Sequence, residues 1–390
     1  MATQFTNQYK MFLSEQPMAL QEYAQGVVLP RKYEKDGPSW GLGGVCDREG
    51  QFVELSAYDG GWTAHGGAYP WDEEVYEDCE AVYMGLFSRH WGHFLVDYIA
   101  RLWFFVQYPY RGRQVKLAYL GDEEPDGNFL EFFELLGLEA QQLIHITKPT
   151  RFRNVIVPQF ACRPCIWYTK EYLSIFDHIA DRVREEKYAF NPEVNLQRVY
   201  FSRLEFGKAK RTEFGEQMVS KWLKANGYTH IPPEQLTLRD QVYIWNHAGT
   251  IACLNGSIPI NIAFSQNRDL ELVVLNKTKL VHKNLELYLL MRPCRMTYVD
   301  VYSEPIHGYP KSIGAGPFLL YPGSDLKAYS DANDLCWPFT KSEIAGRYAL
   351  DFVRLIGAIL DVKGRARALA VRLMPDSMKK KLRQLRNAKR

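Results

Sequence analysis

The sequence lacks the features that mark several large classes of protein. None of its apolar runs approaches the roughly 18 residues that a membrane-spanning helix needs. The first residues, MATQFTNQYK, do not have the charged-then-apolar layout of a secretory signal. Cys is present seven times, an odd number, and forms no paired metal-binding spacing. We therefore expect a protein of the reducing cytosol with free thiols.

Disordered and fibrous classes are excluded as well. The chain of 390 residues is 46% hydrophobic and 24% charged, which is typical of globular proteins and long enough for two or three domains. Its charge is uneven: the segment from Lys363 to Arg390 carries eleven Lys or Arg and one acid, although the net charge of the whole chain is only +3. The body is therefore mildly acidic, which argues against a body that wraps nucleic acid.

Helix and strand patterns alternate along most of the chain, and they predict an α/β protein. The predicted segments are, in chain order, a helix over 88–108, a strand over 115–121, a helix over 128–138, strands over 152–159 and 198–203, helices over 213–227 and 236–248, strands over 250–254 and 270–276, and a helix over 283–291. The break at Asn191-Pro192 separates two such halves. The second half has the alternation of a doubly wound sheet.

The segment His90-Trp-Gly-His93-Phe-Leu-Val-Asp97 is the most informative of the chain, and Arg101 follows it. On a regular helix these four ionisable residues share one narrow stripe beside a broad apolar face. One interpretation is a solvated face with an Asp97–Arg101 pair at i,i+4. The other is a stripe lining a cleft, in which the carboxylate or an imidazole takes a proton.

The same residues allow a metal-site interpretation, because His and carboxylate suit zinc or iron. A zincin helix needs two His at i and i+4 with a Glu between them. Here His90 and His93 are three residues apart and enclose Trp and Gly, so a metal centre is the weaker hypothesis.

Two later segments could bind an anion. Arg203 ends a predicted strand and is followed by Lys208, Lys210 and Arg211, and such cations stand where open α/β sheets bind ligands. The alternative is a solvated basic loop. The second segment, Asn255-Gly256-Ser257-Ile258-Pro259-Ile260-Asn261, follows a strand and opens a helix whose free N–H groups suit an anion. An ordinary strand-to-helix turn would look the same.

Taken in chain order, these segments resemble glycosyltransferase family 61 from about Tyr83 to Leu290. The family's first signature is a helix with a His shortly before an Asp, here His93 and Asp97. Its second is a strand ending in Arg, another Arg and a helix, here Arg203, Arg211 and Gly215-Glu216. The remaining matching residues are Pro233, Glu234, Gln241, the turn Asn255-Gly256-Ser257 and Asn261. Two positions depart from the pattern, since Asn255 stands where the family usually has His and Gly215 where it usually has Asn.

The resemblance implies a GT-B-like fold of two Rossmann-like domains facing a cleft. It implies inverting transfer from a nucleotide sugar, UDP-linked in known members, with no obligatory metal and no other cofactor. Asp97 would be the base, and His93 would orient it or the acceptor. The donor would be held by Arg203, Arg211, Glu216, Gln241, Asn255, Gly256, Ser257 and Asn261. Cations and helix N-termini are what a leaving diphosphate needs where no metal neutralises it.

With this resemblance the chain is expected to divide into five parts. These are an irregular β-rich segment over 1–80 packed on the first domain, an acceptor-side Rossmann-like domain over 81–190, a donor-binding Rossmann-like domain over 191–305, an extension with a helix over 306–362 and a basic amphipathic tail over 363–390. In the tail, basic residues interleave with Leu, Val and Met, a composition suited to an anionic bilayer. A solvated terminal helix is the alternative, and RNA binding is a weaker one.

The sequence thus predicts a cytosolic glycosyltransferase on the inner face of the plasma membrane. It would add a hexose or pentose to a precursor of a surface polysaccharide such as a capsule, with a glycan or lipid-linked glycan as acceptor. Two hypotheses of other classes remain open: a non-catalytic module that binds a glycan or nucleotide on the same fold, and a metal-dependent hydrolase that uses His90, His93 and Asp97.

Overall fold

The computed structural model describes residues 3–4, 9–188, 190, 194–280 and 282–360. The basic tail over 363–390 and the break at Asn191-Pro192 lie outside the described residues. The described part is a mixed α/β protein with two large sheets, which confirms the predicted α/β class, while the GT-B-like arrangement stays a prediction.

The first large sheet is parallel in its centre and antiparallel at one side. Across the sheet the strands are Leu143–His145, Lys116–Leu120, Val75–Leu86, Thr150–Pro158, Val27–Lys32 and Leu42–Cys46, and Leu20–Ala24 also pairs with Thr150–Pro158. The four parallel strands have the order 3-2-1-4 when counted along the chain from Val75–Leu86. This is the order of the first four strands of a Rossmann sheet, which places a topological switch point between Val75–Leu86 and Thr150–Pro158.

The second large sheet is parallel except for one edge. Its strands lie in the order Thr3–Gln4, Arg295–Asp300, Glu271–Asn276, Thr250–Leu254, Arg198–Phe201 and Thr229–Ile231, with Thr3–Gln4 antiparallel. Counted from Arg198–Phe201, the parallel strands have the doubly wound order 2-1-3-4-5. The central segments Ile251–Leu254 and Leu272–Leu275 are buried on both faces, as parallel strands covered by helices are. The switch point lies between Arg198–Phe201 and Thr250–Leu254.

The longer helices follow the apolar periodicity of the sequence. They are Gly127–Leu135, Lys170–Glu185, Glu216–Ala225, Leu238–His247, Lys283–Met291, Ser324–Ala332 and Lys341–Ile359. Thr237 is the N-cap of Leu238–His247: its side chain accepts the N–H of Asp240, while the Asp240 carboxylate accepts the N–H of Thr237. Ile258–Phe264, predicted as a helix start, forms 3₁₀ turns.

Two predicted helices are corrected by the structure. The helix predicted over 88–108 is a single α-turn at Trp91–His93, a π-turn at Phe94–Tyr98 and 3₁₀ turns at Ile99–Phe105. The helix predicted over 213–227 begins only at Glu216, because Glu213–Phe214 forms a short strand beside Phe318–Leu320. In both places tertiary contacts override the local helical period.

Three smaller sheets complete the fold. Glu213–Phe214, Phe318–Leu320 and Tyr302–Ser303 form one; Cys162–Arg163, Trp167–Tyr168 and Phe12–Leu13 form another; Tyr58–Asp59 and Ala64–His65 form a hairpin. All seven cysteines are free thiols, as predicted. Within the described ranges, no helix combines the length and the apolar composition that crossing a membrane requires.

The two large sheets share one continuous hydrophobic core. It contains Val82 and Ile156 from the first sheet and Ile251 and Val274 from the second. The Tyr172 hydroxyl, from the helix Lys170–Glu185, lies 2.6 Å from that of Tyr288 in the helix Lys283–Met291. The carboxyl ends of the strands of both sheets are therefore held in a fixed relation to each other. The division of the chain into the five expected domains stays a prediction.

Candidate active site

The first group of candidate residues lies at the switch point of the first sheet. His90 follows the strand Val75–Leu86 and is the N-cap of the short helix Trp91–His93. Its Nδ1 lies 3.3 Å from the backbone nitrogen of His93. The π-turn at Phe94–Tyr98 then carries Asp97 into the protein. Turns of this kind are rare and occur often at functional sites.

Asp97 is buried and fully engaged. The residue is 2% exposed, and its Oδ2 lies 2.7 Å from Nδ1 of His93. Its Oδ1 accepts a short hydrogen bond from the hydroxyl of Tyr58, in the hairpin. Burial first, and then the Asp97 charge, raise the pKa of Tyr58 well above its ordinary value, which keeps that hydroxyl protonated. Asp97 therefore accepts one hydrogen bond at each oxygen and is closed off from solvent.

His93 is the exposed member of this pair. Its side chain is 34% exposed, against 1% for that of Asp97. Since the carboxylate can only accept, Nδ1 of His93 donates to it, and Nε2 is the ring nitrogen left to meet a ligand. Among the described residues, Nε2 has no hydrogen-bond partner. The arrangement can take a proton from a group that approaches Nε2.

Aromatic rings surround the His93 imidazole. The Trp62 indole stacks on it at 5.4 Å between centroids and an interplanar angle of 20°. Trp40 meets it edge-on at 5.6 Å and is itself stacked on Tyr58. His90 lies 4.4 Å away, and its pKa is lowered by partial desolvation, by the neighbouring His93 and by Lys208. Lys208, which belongs to the second half of the chain, thus lowers the pKa of a histidine in the first half.

The hairpin that carries Tyr58 and Trp62 rests on a buried histidine. His65 is 2% exposed, and its Nδ1 donates to the carbonyl oxygen of Gly41 at 2.8 Å. Burial, partly offset by this bond and one to the Trp40 carbonyl, lowers the pKa of His65 from 6.5 to about 4. The folded protein therefore holds this ring neutral where the unfolded chain would protonate it.

This burial predicts acid lability. The pKa of His65 is lower in the folded protein than in the unfolded chain. The free energy of unfolding is therefore undiminished above about pH 6.5, and it falls as the pH drops toward about 4. At about pH 5 we expect His65 to cost about 2 kcal/mol of unfolding free energy. Urea unfolding at about pH 7 and about pH 5 measures this loss. The His65→Asn variant keeps a donor to Gly41 but does not titrate, so it should lose less stability over that interval. An equal loss in both proteins would contradict the assignment.

Arg101 does not pair with Asp97, so the predicted i,i+4 contact is wrong. The π-turn and the 3₁₀ turns change the angle between these residues, and the Arg101 guanidinium points under the site instead. The side chain is completely buried and donates only to backbone carbonyls. These are the carbonyl oxygens of Pro158, Met84, Leu55 and Ala57.

The second group of candidate residues lies at the switch point of the second sheet. Arg203 follows the strand Arg198–Phe201, and its Nε donates to Glu213 at 2.8 Å. The other Glu213 oxygen accepts from Lys277, which follows the strand Glu271–Asn276, at 2.9 Å. Burial alone would raise the pKa of Glu213, but Lys277 and Arg203 bring it below its ordinary value. One buried carboxylate thus binds two cationic side chains.

The turn Asn255-Gly256-Ser257 lies beside the ammonium group of Lys277. A Cβ atom on Gly256 would be 3.8 Å from the Lys277 ammonium. Asn255 is 3% exposed, and its Nδ2 donates to Asn276 at 2.8 Å, while its Oδ1 is buried with no partner among the described residues. Asn255, in the position where the family usually has His, is therefore tied to the end of the neighbouring strand.

Asn261 and Gln241 lie where the two groups meet. The Trp91 indole nitrogen donates to Asn261 Oδ1 at 2.7 Å, and Asn261 donates to Gln241 at 2.9 Å. A Cβ on Gly92 would be 3.4 Å from Ser257. The short helix that carries His93 therefore touches the turn and the 3₁₀ segment of the second half, so the two groups belong to one site.

Glu216 and Arg211 have different surroundings. Glu216 is 2% exposed, and its Oε1 accepts from the Tyr200 hydroxyl, the Ser202 hydroxyl and the Arg203 backbone N–H. It fixes the loop that presents Arg203. Arg211 is exposed, and within the described ranges it forms no ion pair. The structure thus shows Glu216 as an internal support of this loop and Arg211 as a free surface cation.

Gly215, the second departure from the family pattern, has a structural reason. Its φ is +91°, and a Cβ there would lie 1.9 Å from the carbonyl oxygen of Leu320. The side sheet leaves no room for a side chain at this position, so Gly is required.

Metal ligands are not grouped in the described part of the chain: no three His, Cys, Asp or Glu side chains there could together hold an ion. His90 and His93 each have Nδ1 engaged, by the helix cap and by Asp97 respectively.

Three contributors to the site were missed by sequence reasoning. Lys277 looked like an ordinary surface lysine after a strand. Tyr58 and Trp62 come from the Gly-rich segment over 1–80, which is expected to be irregular and β-rich but carries no pattern that points to these two residues. The only available signal was the position of Lys277 at the carboxyl end of a predicted parallel strand, where cations are worth noting.

The comparison with known families agrees with this geometry. The family model described as Glycosyltransferase 61 matches residues 91–270, which include His93, Asp97, Arg203 and Asn255. The match supports the assignment of the chain to glycosyltransferase family 61, in agreement with the resemblance seen in the sequence. This match supports a glycosyltransferase, a class of enzyme that uses a sugar donor and a glycan acceptor. No curated protein matches the chain.

Proposed function

We propose that this protein is an inverting glycosyltransferase of GT-B type that uses a nucleotide-sugar donor without a metal. One observation carries the proposal: the Asp97–His93 pair and the cations of the second sheet lie at two switch points that meet at the Trp91–Asn261 hydrogen bond. A base on one side and an anion-binding turn on the other are the two parts that inversion with a diphosphate leaving group requires.

In this proposal the base is His93 and its positioning residue is Asp97. The acceptor hydroxyl gives its proton to Nε2 of His93 as its oxygen attacks the anomeric carbon, and the bond from that carbon to the diphosphate oxygen breaks, releasing the nucleoside diphosphate. The buried Asp97 carboxylate fixes the tautomer and stabilises the imidazolium that forms. Burial favours this assignment over the one suggested by the sequence, in which Asp97 took the proton, because only His93 is open to an acceptor.

The donor diphosphate is placed against the second sheet. Lys277 and Arg203 supply charge, Gly256 allows the backbone to approach, and Lys208 and Arg211 add exposed cations. Asn261 and Gln241 hold the junction between donor and acceptor sides. UDP is the nucleotide we favour. The acceptor is proposed to be a precursor of a surface polysaccharide such as a capsule, with the enzyme cytoplasmic and its basic tail on the anionic inner membrane face.

Ligand-dependent thermal stabilisation tests the donor site. A nucleotide sugar at about 100 times its Kd should add about 2.7 kcal/mol of stability, and this gain should persist in a chelator. Arg203→Ala should weaken donor binding by about tenfold or more, since it removes a charge-assisted contact.

The matched control is Arg153→Ala, which removes an exposed arginine paired with Asp78 on the first sheet and should bind the donor as the wild type does. Stabilisation by no nucleotide sugar, or stabilisation that a chelator abolishes, would contradict the proposal. A selective shift without any turnover would favour a binding module on the same fold.

A further inference from the structure

An exposed tryptophan beside the proposed base has no structural role that explains its position. Trp62 lies at the tip of the hairpin Tyr58–Asp59 and Ala64–His65, and it is 56% exposed. A single exposed apolar side chain is normal in itself, but this one lies against the imidazole of the proposed base. Its ring is nevertheless ordered by its neighbours, stacking on His93 and meeting Trp40 edge-on at 5.0 Å.

The hairpin tip is held rigidly in this place. The Thr63 and Ser39 hydroxyls are 2.6 Å apart, and the N–H of Gly60 donates to the Thr63 carbonyl at 3.0 Å. Asp59 forms an ion pair with Arg163 at 2.7 Å. A Cβ on Gly60 would lie 2.3 Å from the Tyr58 hydroxyl, so the turn accepts no larger residue there. Trp62 is thus preorganised, which lowers the entropic cost of binding on its surface.

The geometry points to a ligand-binding platform: we propose that Trp62 and Trp40 bind a pyranose ring of the acceptor glycan and present its hydroxyl to His93. This inference rests on the proposed function. A hydroxyl within hydrogen-bond reach of His93 belongs to a molecule that must also contact Trp62, because the two rings lie only 5.4 Å apart. A pyranose has a face of C–H groups that packs against the negative face of an indole.

The rim of the platform suits the polar edge of a sugar. Asp59 and Arg163, paired at the base of the hairpin, have side chains that are 67% and 39% exposed. Charged donors and acceptors of this kind can meet ring hydroxyls while the indole takes the apolar face. The platform belongs to the side of the first sheet, whereas the proposed diphosphate site is on the second sheet. Trp62 therefore selects the acceptor and leaves donor affinity unchanged.

The test compares Trp62→Ala with Trp62→Phe and with Tyr108→Ala. Tyr108 is 93% exposed and its ring has no described contact, so it controls for the loss of a surface aromatic. Binding is measured on an array of pyranose oligosaccharides, with and without UDP, and the best binder is then titrated by saturation-transfer NMR. We expect Trp62→Ala to weaken binding at least about tenfold, Trp62→Phe to keep most of it, and Tyr108→Ala to change nothing.

Kinetics separate this inference from the proposed function. With the oligosaccharide as acceptor, Trp62→Ala should raise the acceptor KM at least about tenfold and change kcat little. A fall in kcat alone would make Trp62 a positioning residue for His93, and weaker donor binding would make it a nucleobase contact; either result overturns the platform. Array binding that is absent in the wild type or equal in Trp62→Ala also overturns it. Normal glycan binding without nucleotide-sugar turnover would instead contradict the proposed function and leave the platform standing.

Discussion

Replacing His93 with Gln should lower kcat for sugar transfer by about 10²–10⁴-fold while donor affinity stays near that of the wild type. The amide can still meet Asp97, but it cannot take a proton from the acceptor. The measurement is the release of nucleoside diphosphate from the nucleotide sugar that stabilises the protein, with acceptor present, alongside the thermal shift of the same variant. A loss of activity without a loss of donor binding separates the chemical step from the donor site.

The companion variant Asp97→Asn distinguishes two assignments of the base. If His93 is the base, Asp97→Asn fails because an amide that donates to Nδ1 favours the wrong tautomer, and the double variant is hardly worse than either single one. If Asp97 itself takes the proton, His93→Gln keeps much of its activity and Asp97→Asn does not. Full turnover in both variants would remove the pair from the reaction.

Tyr58→Phe serves as a graded control within the same network. It removes the hydrogen bond to Asp97 but neither the carboxylate nor the imidazole. We expect kcat to fall much less than in His93→Gln, because Tyr58 only holds Asp97 in position and the Asp97–His93 pair itself stays intact.

Much of the fold could be predicted because the local pattern and the tertiary structure agree there. The strands Thr250–Leu254 and Glu271–Asn276 appear in the sequence as short apolar runs, since both of their faces are covered. The helix Leu238–His247 begins after a Thr that caps it. The order of strands in space could not be predicted, since it depends on contacts between residues far apart in the chain.

The site residues differ in the same way: those close together in the sequence could be paired, and those far apart could not. His93 and Asp97 could be paired from sequence because they lie four residues apart, and the structure places them at 2.7 Å. Tyr58, whose hydroxyl also binds Asp97, lies 39 residues before Asp97 in the irregular segment over 1–80. Lys277 reaches Glu213 across 64 residues. Neither contact leaves a local signal, because each is made by the packing of one sheet edge against another element; the sequence shows only that Lys277 follows a predicted parallel strand.

The Glu213 region shows why a strong helical pattern can fail. The sequence over 213–227 has a continuous apolar stripe, and the first two residues join it without a break. The structure instead uses Glu213 in a short strand, where its carboxylate meets Arg203 and Lys277. Two charge-assisted hydrogen bonds in a buried place outweigh the few tenths of a kcal/mol that one more helical residue would add.

Arg101 is the position where a single substitution should damage the fold most. The guanidinium is completely buried, lies 3.8 Å from the Phe160 ring centroid and donates to carbonyls at the ends of both central strands of the first sheet, through Met84 and Pro158. Gly85 makes room for it, since a Cβ there would be 3.1 Å from Nη1. Burial lowers the pKa of Arg101 to about 10, so it stays charged at neutral pH.

Arg101→Met should therefore destabilise the protein by at least about 3 kcal/mol. Methionine fills much of the volume, but it leaves buried carbonyl oxygens without donors, at about 1–3 kcal/mol each, offset in part because a cation no longer has to be desolvated. Urea unfolding measures the change. Arg113→Met is the control: it removes an arginine that lies before the strand Lys116–Leu120. Its partners in the same sheet, Glu22 and Glu80, are partly exposed and can be hydrated, so the variant should lose about 1 kcal/mol or less.

The Arg101 variants also test a residue that supports the site without taking part in its chemistry. Arg101 ties together the strand ends from which His90 and Phe160 depart, so its loss should loosen the switch point on which Asp97 rests. Arg101→Lys keeps the charge but offers three donors from a single nitrogen instead of a planar fork, and it should recover only part of the lost stability. A loss below about 1 kcal/mol in Arg101→Met would mean that water replaces the guanidinium at these carbonyls and that the floor of the site does not depend on it.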